Sequence, residues 1–190
     1  MRAFLISCLF VLGCCGEQCA AQVVRLRVEG SQTVGSGTAF CIGETNEGRS
    51  VLLTAKHNFR AGETARVYYR GQWTTAEQIN HHSTEDVTSF EVGIRIPALL
   101  LGDSEQIGAE VSIPGFGPEY HGRQASSFSG IMQTGYVAGE RGLHPIPGDS
   151  GAPIIQADRV VGVVFGYNEP IRTTYRSDFA EQQLPTRFTG

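Results

Sequence analysis

Gly148-Asp149-Ser150-Gly151-Ala152-Pro153 is the stretch on which the reading of this 190-residue chain turns. A serine set between glycines and behind an aspartate is ill suited to a strand interior. It suits a tight turn that carries one hydroxyl outward while backbone N–H groups converge beside it, the arrangement a nucleophile needs for acyl transfer. The same residue types are common in surface turns, so the six residues alone leave a plain loop and a nucleophile loop both open.

Outward from this stretch, the chain reads as short β-type runs separated by turn residues. Twenty-four glycines against one tryptophan fit a turn-rich β protein better than a helical bundle. Val23 to Val28 alternates Val24, Leu26 and Val28 with Arg25 and Arg27, as a half-buried strand does. Thr38 to Ile42 forms a second run after Gly35-Ser36-Gly37. Ser50 to Ala55 is almost wholly apolar and reads as a strand buried on both faces. Arg66 to Arg70 and Gln72 to Ile79 read as a hairpin around Gly71, and Asp86 to Ile96 starts polar and becomes an alternating strand. In the second half Glu110 to Pro114, Ser129 to Ala138, Ala152 to Gln156 and Arg159 to Gly166 are strand candidates, with the divide between halves near residues 98–107. Only Ser177 to Leu184 reads as a helix, with Ser177 as N-cap. About ten short strands with frequent glycine argue an all-β sandwich or a pair of small barrels.

The first 21 residues read as a targeting segment. Arg2 precedes an apolar run, Ala3 to Gly13, that is too short to span a bilayer. Cys19-Ala20-Ala21 before Gln22 is a small-residue cleavage site, so export (secreted, periplasmic or cell-surface) is expected. Val11-Leu12-Gly13-Cys14 offers the alternative of a lipid anchor at Cys14. Four of the five cysteines lie in this leader, which leaves Cys41 alone in the mature chain and excludes an internal disulfide there. Cys41 sits in an apolar run and reads as a small buried hydrophobe. The net charge of −4 carries no basic stripe, so no nucleic-acid partner is expected, and no transmembrane pattern follows the leader.

Three stretches then fall into order: His57 after Leu52-Leu53-Thr54-Ala55-Lys56, Asp86 before Val87-Thr88-Ser89, and Ser150. A serine hydroxyl is a weak nucleophile near pH 7 and needs a base within hydrogen-bond reach. Histidine, with an unperturbed pKa of about 6.5, can take and return that proton. A buried carboxylate holds the imidazole in the right tautomer and stabilises its charged form. Glu85, Glu91 and Asp103 are the other carboxylates weighed for that place. His81 and His82 sit in a polar stretch and read as solvated. No carboxylate or cysteine partners suggest a metal site, and no cofactor is expected.

Taken together, Thr54-Ala55-Lys56-His57, Asp86-Val87-Thr88 and Gly148-Asp149-Ser150-Gly151-Ala152-Pro153 resemble the trypsin/chymotrypsin-type serine peptidases. Gly35-Ser36-Gly37-Thr38-Ala39-Phe40 resembles the entry strand of bacterial members of the glutamyl endopeptidase and heat-shock types. The resemblance implies two packed six-stranded antiparallel β-barrels, at about 22–100 and 108–175 within a domain spanning 22–190. It implies Ser150 as nucleophile, His57 as general base and then acid, and Asp86 as the orienting carboxylate. The backbone N–H groups of Gly148 and Ser150 would form the oxyanion hole, and Asp149 would support the loop from inside. Phe165 and Gly166 would pair with an extended peptide substrate, and His144 falls near the floor of the primary pocket.

The chain departs from the pattern in four places. Lys56 stands where the trypsin branch has a small residue, and Cys41 lacks the partner that commonly bridges beside the histidine. No activation motif follows the leader, and Asp86 is followed by polar Thr88-Ser89. That position holds His144 and not an aspartate, which argues against a Lys/Arg preference. His144 with Lys56 suggests an acidic side chain at the cleavage position, unless His144 only closes its Pro-rich loop. The expected activity is that of a monomeric, exported serine endopeptidase acting on protein or peptide. The alternative is a protease-fold binding protein without activity. An esterase with an early Gly-Asp-Ser nucleophile fails on order, because no histidine follows Ser150.

Overall fold

Strand β1 (Val23–Glu29) keeps the alternation of its sequence: Val24, Leu26 and Val28 are buried, and Arg25 and Arg27 stand on the outer face. It opens the computed structural model, which describes residues 22–30, 34–60, 62–116, 126–134, 136–139, 148–165 and 171–174. The expected leader at 1–21 with Cys14, the loop residue His144, Gly166 and the helix expected at 177–184 lie outside the described residues. After β1 come β2 (Val34–Glu44), β3 (Ser50–Ala55), β4 (Thr64–Tyr69), β5 (Gln72–His81) and β6 (Val87–Val92), with a 3-10 turn at Lys56–Asn58 between β3 and β4. These six strands pair antiparallel in the order β1-β2-β3-β6-β5-β4, and β1 meets β4 to close a barrel.

The second half begins with the two-residue strand β7 (Leu100–Leu101). It continues through β8 (Glu110–Gly115), β9 (Ser126–Gln133), β10 (Tyr136–Gly139), β11 (Pro153–Gln156), β12 (Arg159–Val164) and β13 (Ile171–Thr174). Strands β8 to β13 pair antiparallel in the order β11-β8-β9-β10-β13-β12, and the β11–β12 pairing closes this ring as well. The fold is thus all-β, with two six-stranded antiparallel rings, and no α-helix among the described residues. Two local readings change. Leu100-Leu101, read as a connection, pairs parallel to β12. Ser129 to Ala138, read as one run, is a hairpin in which Tyr136 faces Gln133.

Packing explains why β2 and β3 are apolar on both faces. Ala39, Cys41 and Leu52 fill the first barrel with Leu26, Val67 and Phe90. Their neighbours Phe40, Ile42, Val51 and Leu53 point the other way, into a separate cluster with Leu99, Ile155, Val160 and Val163 of the second half. Ile113, Phe128, Met132, Ile154 and Val164 fill the second barrel. Burying one such side chain stabilises the fold by roughly 1.5–3 kcal/mol, so the shared cluster fixes one barrel against the other. Cys41 is fully buried in the first barrel, where its thiol donates to the Ile96 carbonyl at 3.2 Å. Burial pushes that thiol up to about 11.

Candidate active site

Strand pairing brings His57 and Asp86 to the same end of the first barrel. β3 and β6 are antiparallel neighbours with Ala55 opposite Val87. The residues just after β3 and just before β6 therefore meet, and the ladder extends one step further through Lys56 N–H donating to the Asp86 carbonyl at 3.1 Å. The 3-10 turn then presents His57, whose backbone N–H donates to Asp86 Oδ1 at 2.8 Å while its ring Nδ1 lies 2.6 Å from Asp86 Oδ2. A carboxylate only accepts, so Nδ1 carries a proton, and in the neutral imidazole the lone pair is then on Nε2. The imidazole is 44% exposed and the carboxylate 27%, so the pair opens to solvent while its geometry is held from two directions.

The segment carrying Asp86 is anchored by the two histidines that precede it. His82 N–H donates to the Val87 carbonyl at 3.0 Å, and the His82 ring accepts the Glu85 N–H at 2.9 Å. The His82 carbonyl in turn accepts the Lys56 ammonium at 2.9 Å. His81 Nδ1 lies 2.6 Å from the Thr88 hydroxyl, and its ring stands edge-on to Phe59 at 5.9 Å between centroids. His82, half-buried, holds this loop, whereas His81 is exposed, as expected, while contacting Thr88 and Phe59. Thr88 and Ser89, the polar pair after Asp86, are buried in β6. Glu91 is taken up with Arg49 at 2.8 Å, away from the imidazole.

Ser150 sits at the junction of the two halves. Gly148 and Gly151 flank its loop with φ of +104° and +88°, the left-handed region that glycine enters without cost. Gly151 also has no room for a Cβ, which would meet the Thr54 hydroxyl, the Thr38 carbonyl and the Ala55 amide. Asp149 is 4% exposed and packs against Gly115, where a Cβ would run into its carboxylate. On the second-barrel side, Gly151 N–H donates to the Val164 carbonyl at 2.6 Å and Val164 N–H to the Ala152 carbonyl at 2.9 Å. The loop therefore continues the β11–β12 ladder, and Phe165, half-buried, follows directly from β12.

The first barrel grips the loop through Thr38. Its N–H donates to the Ser150 carbonyl at 2.9 Å, and its hydroxyl donates to the Gly148 carbonyl at 2.8 Å. That hydroxyl also accepts the Phe116 N–H at 2.9 Å. Asn58, next to His57, donates through Nδ2 to the Ser150 carbonyl at 3.0 Å. His57 and Asp86 are thus in direct contact, and Ser150 lies on the loop bonded to the residue after His57. Thr38, Thr54 and Asn58 were missed as site residues in the sequence. For Thr38 and Thr54 the available signal was that buried strand positions rarely hold polar side chains without partners, and Asn58, in the 3-10 turn, carried no such signal. Among the described residues no group of three metal-ligating side chains is present, and no helix is long and apolar enough to cross a membrane.

Two antiparallel six-stranded barrels, packed so that the turn carrying the histidine of a His–Asp pair in one is bonded through Asn58 to a Gly-Asp-Ser-Gly loop of the other, define a double-barrel protein of the trypsin type. Residues 37–163 match the trypsin-like peptidase domain, and the chain belongs to that family. No curated protein sequence matches the chain at a significant level. Among solved structures, the chain is similar to the Rv3671c protease from M. tuberculosis in its active form, with 20% identity and a TM-score of 0.67 over 84% of this chain and 78% of that one. It is also similar to the serine endoprotease from Yersinia pestis, with 16% identity and a TM-score of 0.69 over 87% of this chain. An HtrA-type protease solved with a tripeptide matches at 19% identity and a TM-score of 0.66, also over 87%. The chain spans 62% and 60% of the length of the last two proteins. At these identities the likeness is one of fold.

Proposed function

We propose that this protein is an exported serine endopeptidase that cleaves peptide bonds through an acyl-enzyme on Ser150. The observation that carries the reading is the two-point seat of His57 on Asp86. It leaves Nε2 available as a base, one residue from Asn58, whose side chain bonds the Ser150 carbonyl. In this reading Nε2 takes the Ser150 hydroxyl proton as the oxygen adds to the substrate carbonyl. Asp86 stabilises the resulting imidazolium without being protonated itself.

The N–H groups of Gly148 and Ser150 stabilise the oxyanion, the contribution that preorganised donors make most efficiently. The imidazolium then returns its proton to the leaving amine, and water repeats the sequence to free the acid. An extended substrate adds as a strand to the chain leaving β12 at Phe165 and Gly166. Export is carried by the leader sequence alone. An acidic preference at the cleavage position now rests on His144, since the Lys56 ammonium is engaged at the His82 carbonyl.

The test is covalent labelling of the chain with a fluorophosphonate. Modification is expected on Ser150 and is expected to vanish in Ser150→Ala. A folded wild-type protein that takes no label at Ser150 would refute the catalytic reading and favour a binding protein on the same fold. Cleavage of a peptide library would then define the preferred side chain. Cutting after basic or hydrophobic residues would rule out the acidic preference.

A further inference from the structure

The side chain of Asn58 completes a closed ring of hydrogen bonds behind the nucleophile. Its Nδ2 donates to the Ser150 carbonyl at 3.0 Å and to the Thr54 hydroxyl at 3.0 Å. The Thr54 hydroxyl donates to the Thr38 carbonyl at 2.6 Å. The Thr38 N–H returns to the Ser150 carbonyl at 2.9 Å. Ser150 O accepts only, so the amide orientation of Asn58 is fixed: the NH2 group faces the loop. Both of its hydrogens are used, one to hold Asn58 against β3 and one to hold Ser150. Gly37 leaves the space for this side chain, since a Cβ there would lie 2.6 Å from Asn58 Nδ2.

We propose that Asn58 is a positioning residue for Ser150, setting the plane of the Ser150–Gly151 peptide and thereby the aim of the serine hydroxyl at His57. The inference rests on the reading of Ser150 as nucleophile. Two donors converge on one carbonyl from different directions, so the carbonyl has a single orientation. Without Asn58 the peptide keeps the Thr38 bond at its carbonyl and the Val164 bond at the Gly151 N–H, and it can tilt about the line joining these two contacts. Asn58 follows His57 in the same 3-10 turn, so one rigid segment places both the base and the strut that holds the nucleophile's backbone. Relative placement of base and nucleophile is then insensitive to small movements of one barrel against the other. Orientation of this kind is what separates bound from reacting geometries, because small misplacements lower the rate of the chemical step without weakening binding.

The experiment measures inactivation of the folded protein by a fluorophosphonate, resolving the maximal inactivation rate from the half-saturating probe concentration. Variants are Asn58→Ala, the shape-preserving Asn58→Asp, Thr54→Val and the Asn58→Ala/Thr54→Val pair. Losing one hydrogen bond of ordinary strength corresponds to about a tenfold fall in the maximal rate. That fall is expected for Asn58→Ala and at least as large for Asn58→Asp, with the half-saturating concentration unchanged. Thr54→Val leaves residue 58 intact and keeps the proposal testable where a change at 58 prevents folding. It should show a smaller loss of the same kind, and the pair should be no slower than Asn58→Ala alone, as for members of one chain of contacts.

Three results overturn the proposal while leaving the nucleophile reading in place. One is a wild-type maximal rate in both Asn58 variants. Another is a loss that appears only as weaker probe binding. The third is fully additive losses in the pair. A folded wild type that is not labelled at Ser150 removes the nucleophile reading, and this inference with it.

Discussion

Replacing Asp86 with asparagine changes one atom of the site and should change which nitrogen of His57 holds the proton. In the native pair, Asp86 Oδ1 accepts the His57 backbone N–H at 2.8 Å and Oδ2 accepts the ring Nδ1–H at 2.6 Å. An asparagine can keep the first bond with its carbonyl oxygen, which turns its NH2 group toward Nδ1. Two donors then face each other unless the ring moves its proton to Nε2. The favoured tautomer is therefore the one with Nε2–H, which cannot accept a proton from serine. The loss expected is about 10⁴-fold in the chemical step, the size seen when the tautomer alone is reversed in a Ser-His-Asp site. The fold should suffer much less, by about 1 kcal/mol, because one hydrogen bond survives and the site is partly open to water. The assay is the fluorophosphonate labelling rate of wild type and Asp86→Asn at pH 7, paired with urea unfolding of both. An Asp86→Asn protein that labels within about tenfold of wild type would refute the tautomer argument. The carboxylate role would then pass to another group.

Gly151→Ala is expected to destabilise the fold by about 2–4 kcal/mol, from the left-handed conformation and from displacement of the Thr38–Ser150 and Thr54–Thr38 contacts, as read by urea unfolding. A change below about 0.5 kcal/mol would show that the loop relaxes freely. Cys41 should resist iodoacetamide at pH 8 in the folded chain and react once the chain is unfolded in urea, followed by mass spectrometry of its peptide. Equal rates in the two states would contradict its burial. The thiol is raised from 9.0 to about 11 in the fold, so the unfolded chain loses this proton first as pH climbs. Its contribution is fully present below pH 9 and is lost on the way to pH 11, on the order of 2 kcal/mol. Stability of wild type should therefore fall between those pH values by more than that of Cys41→Ala, which lacks the group.

The barrels were legible because β1, β2 and β3 write their packing into residue order. Val24, Leu26 and Val28 alternate with arginines where one face meets solvent, and Val51-Leu52-Leu53 runs without a break where both faces are covered. The β9–β10 hairpin was not legible, since Gln133-Thr134-Gly135 lacks the strong Asn-Gly or Pro signals of a two-residue turn. At the site, residue type and order pointed to His57, Asp86 and Ser150. The groups that hold them in place were invisible for a different reason. Thr38 and Asn58 act on the Gly148 and Ser150 carbonyls, 110 and 92 residues away, and no local pattern reports a partner at that distance. His82 looked solvated because a histidine that accepts a backbone N–H has the same neighbours in sequence as one that does not.

The grip of Thr38 on the loop at Gly148 and Ser150 also orders events in time. Contacts between residues so far apart form late in folding, after the loop-closure entropy of the intervening chain has been overcome. While the polypeptide is being made, every strand of the first barrel, with His57 and Asp86, precedes residue 148. The serine loop finds its partners only when the second barrel docks. On the proposed reading, the base and its carboxylate are made before the nucleophile, and the alignment of all three arrives with the completed fold.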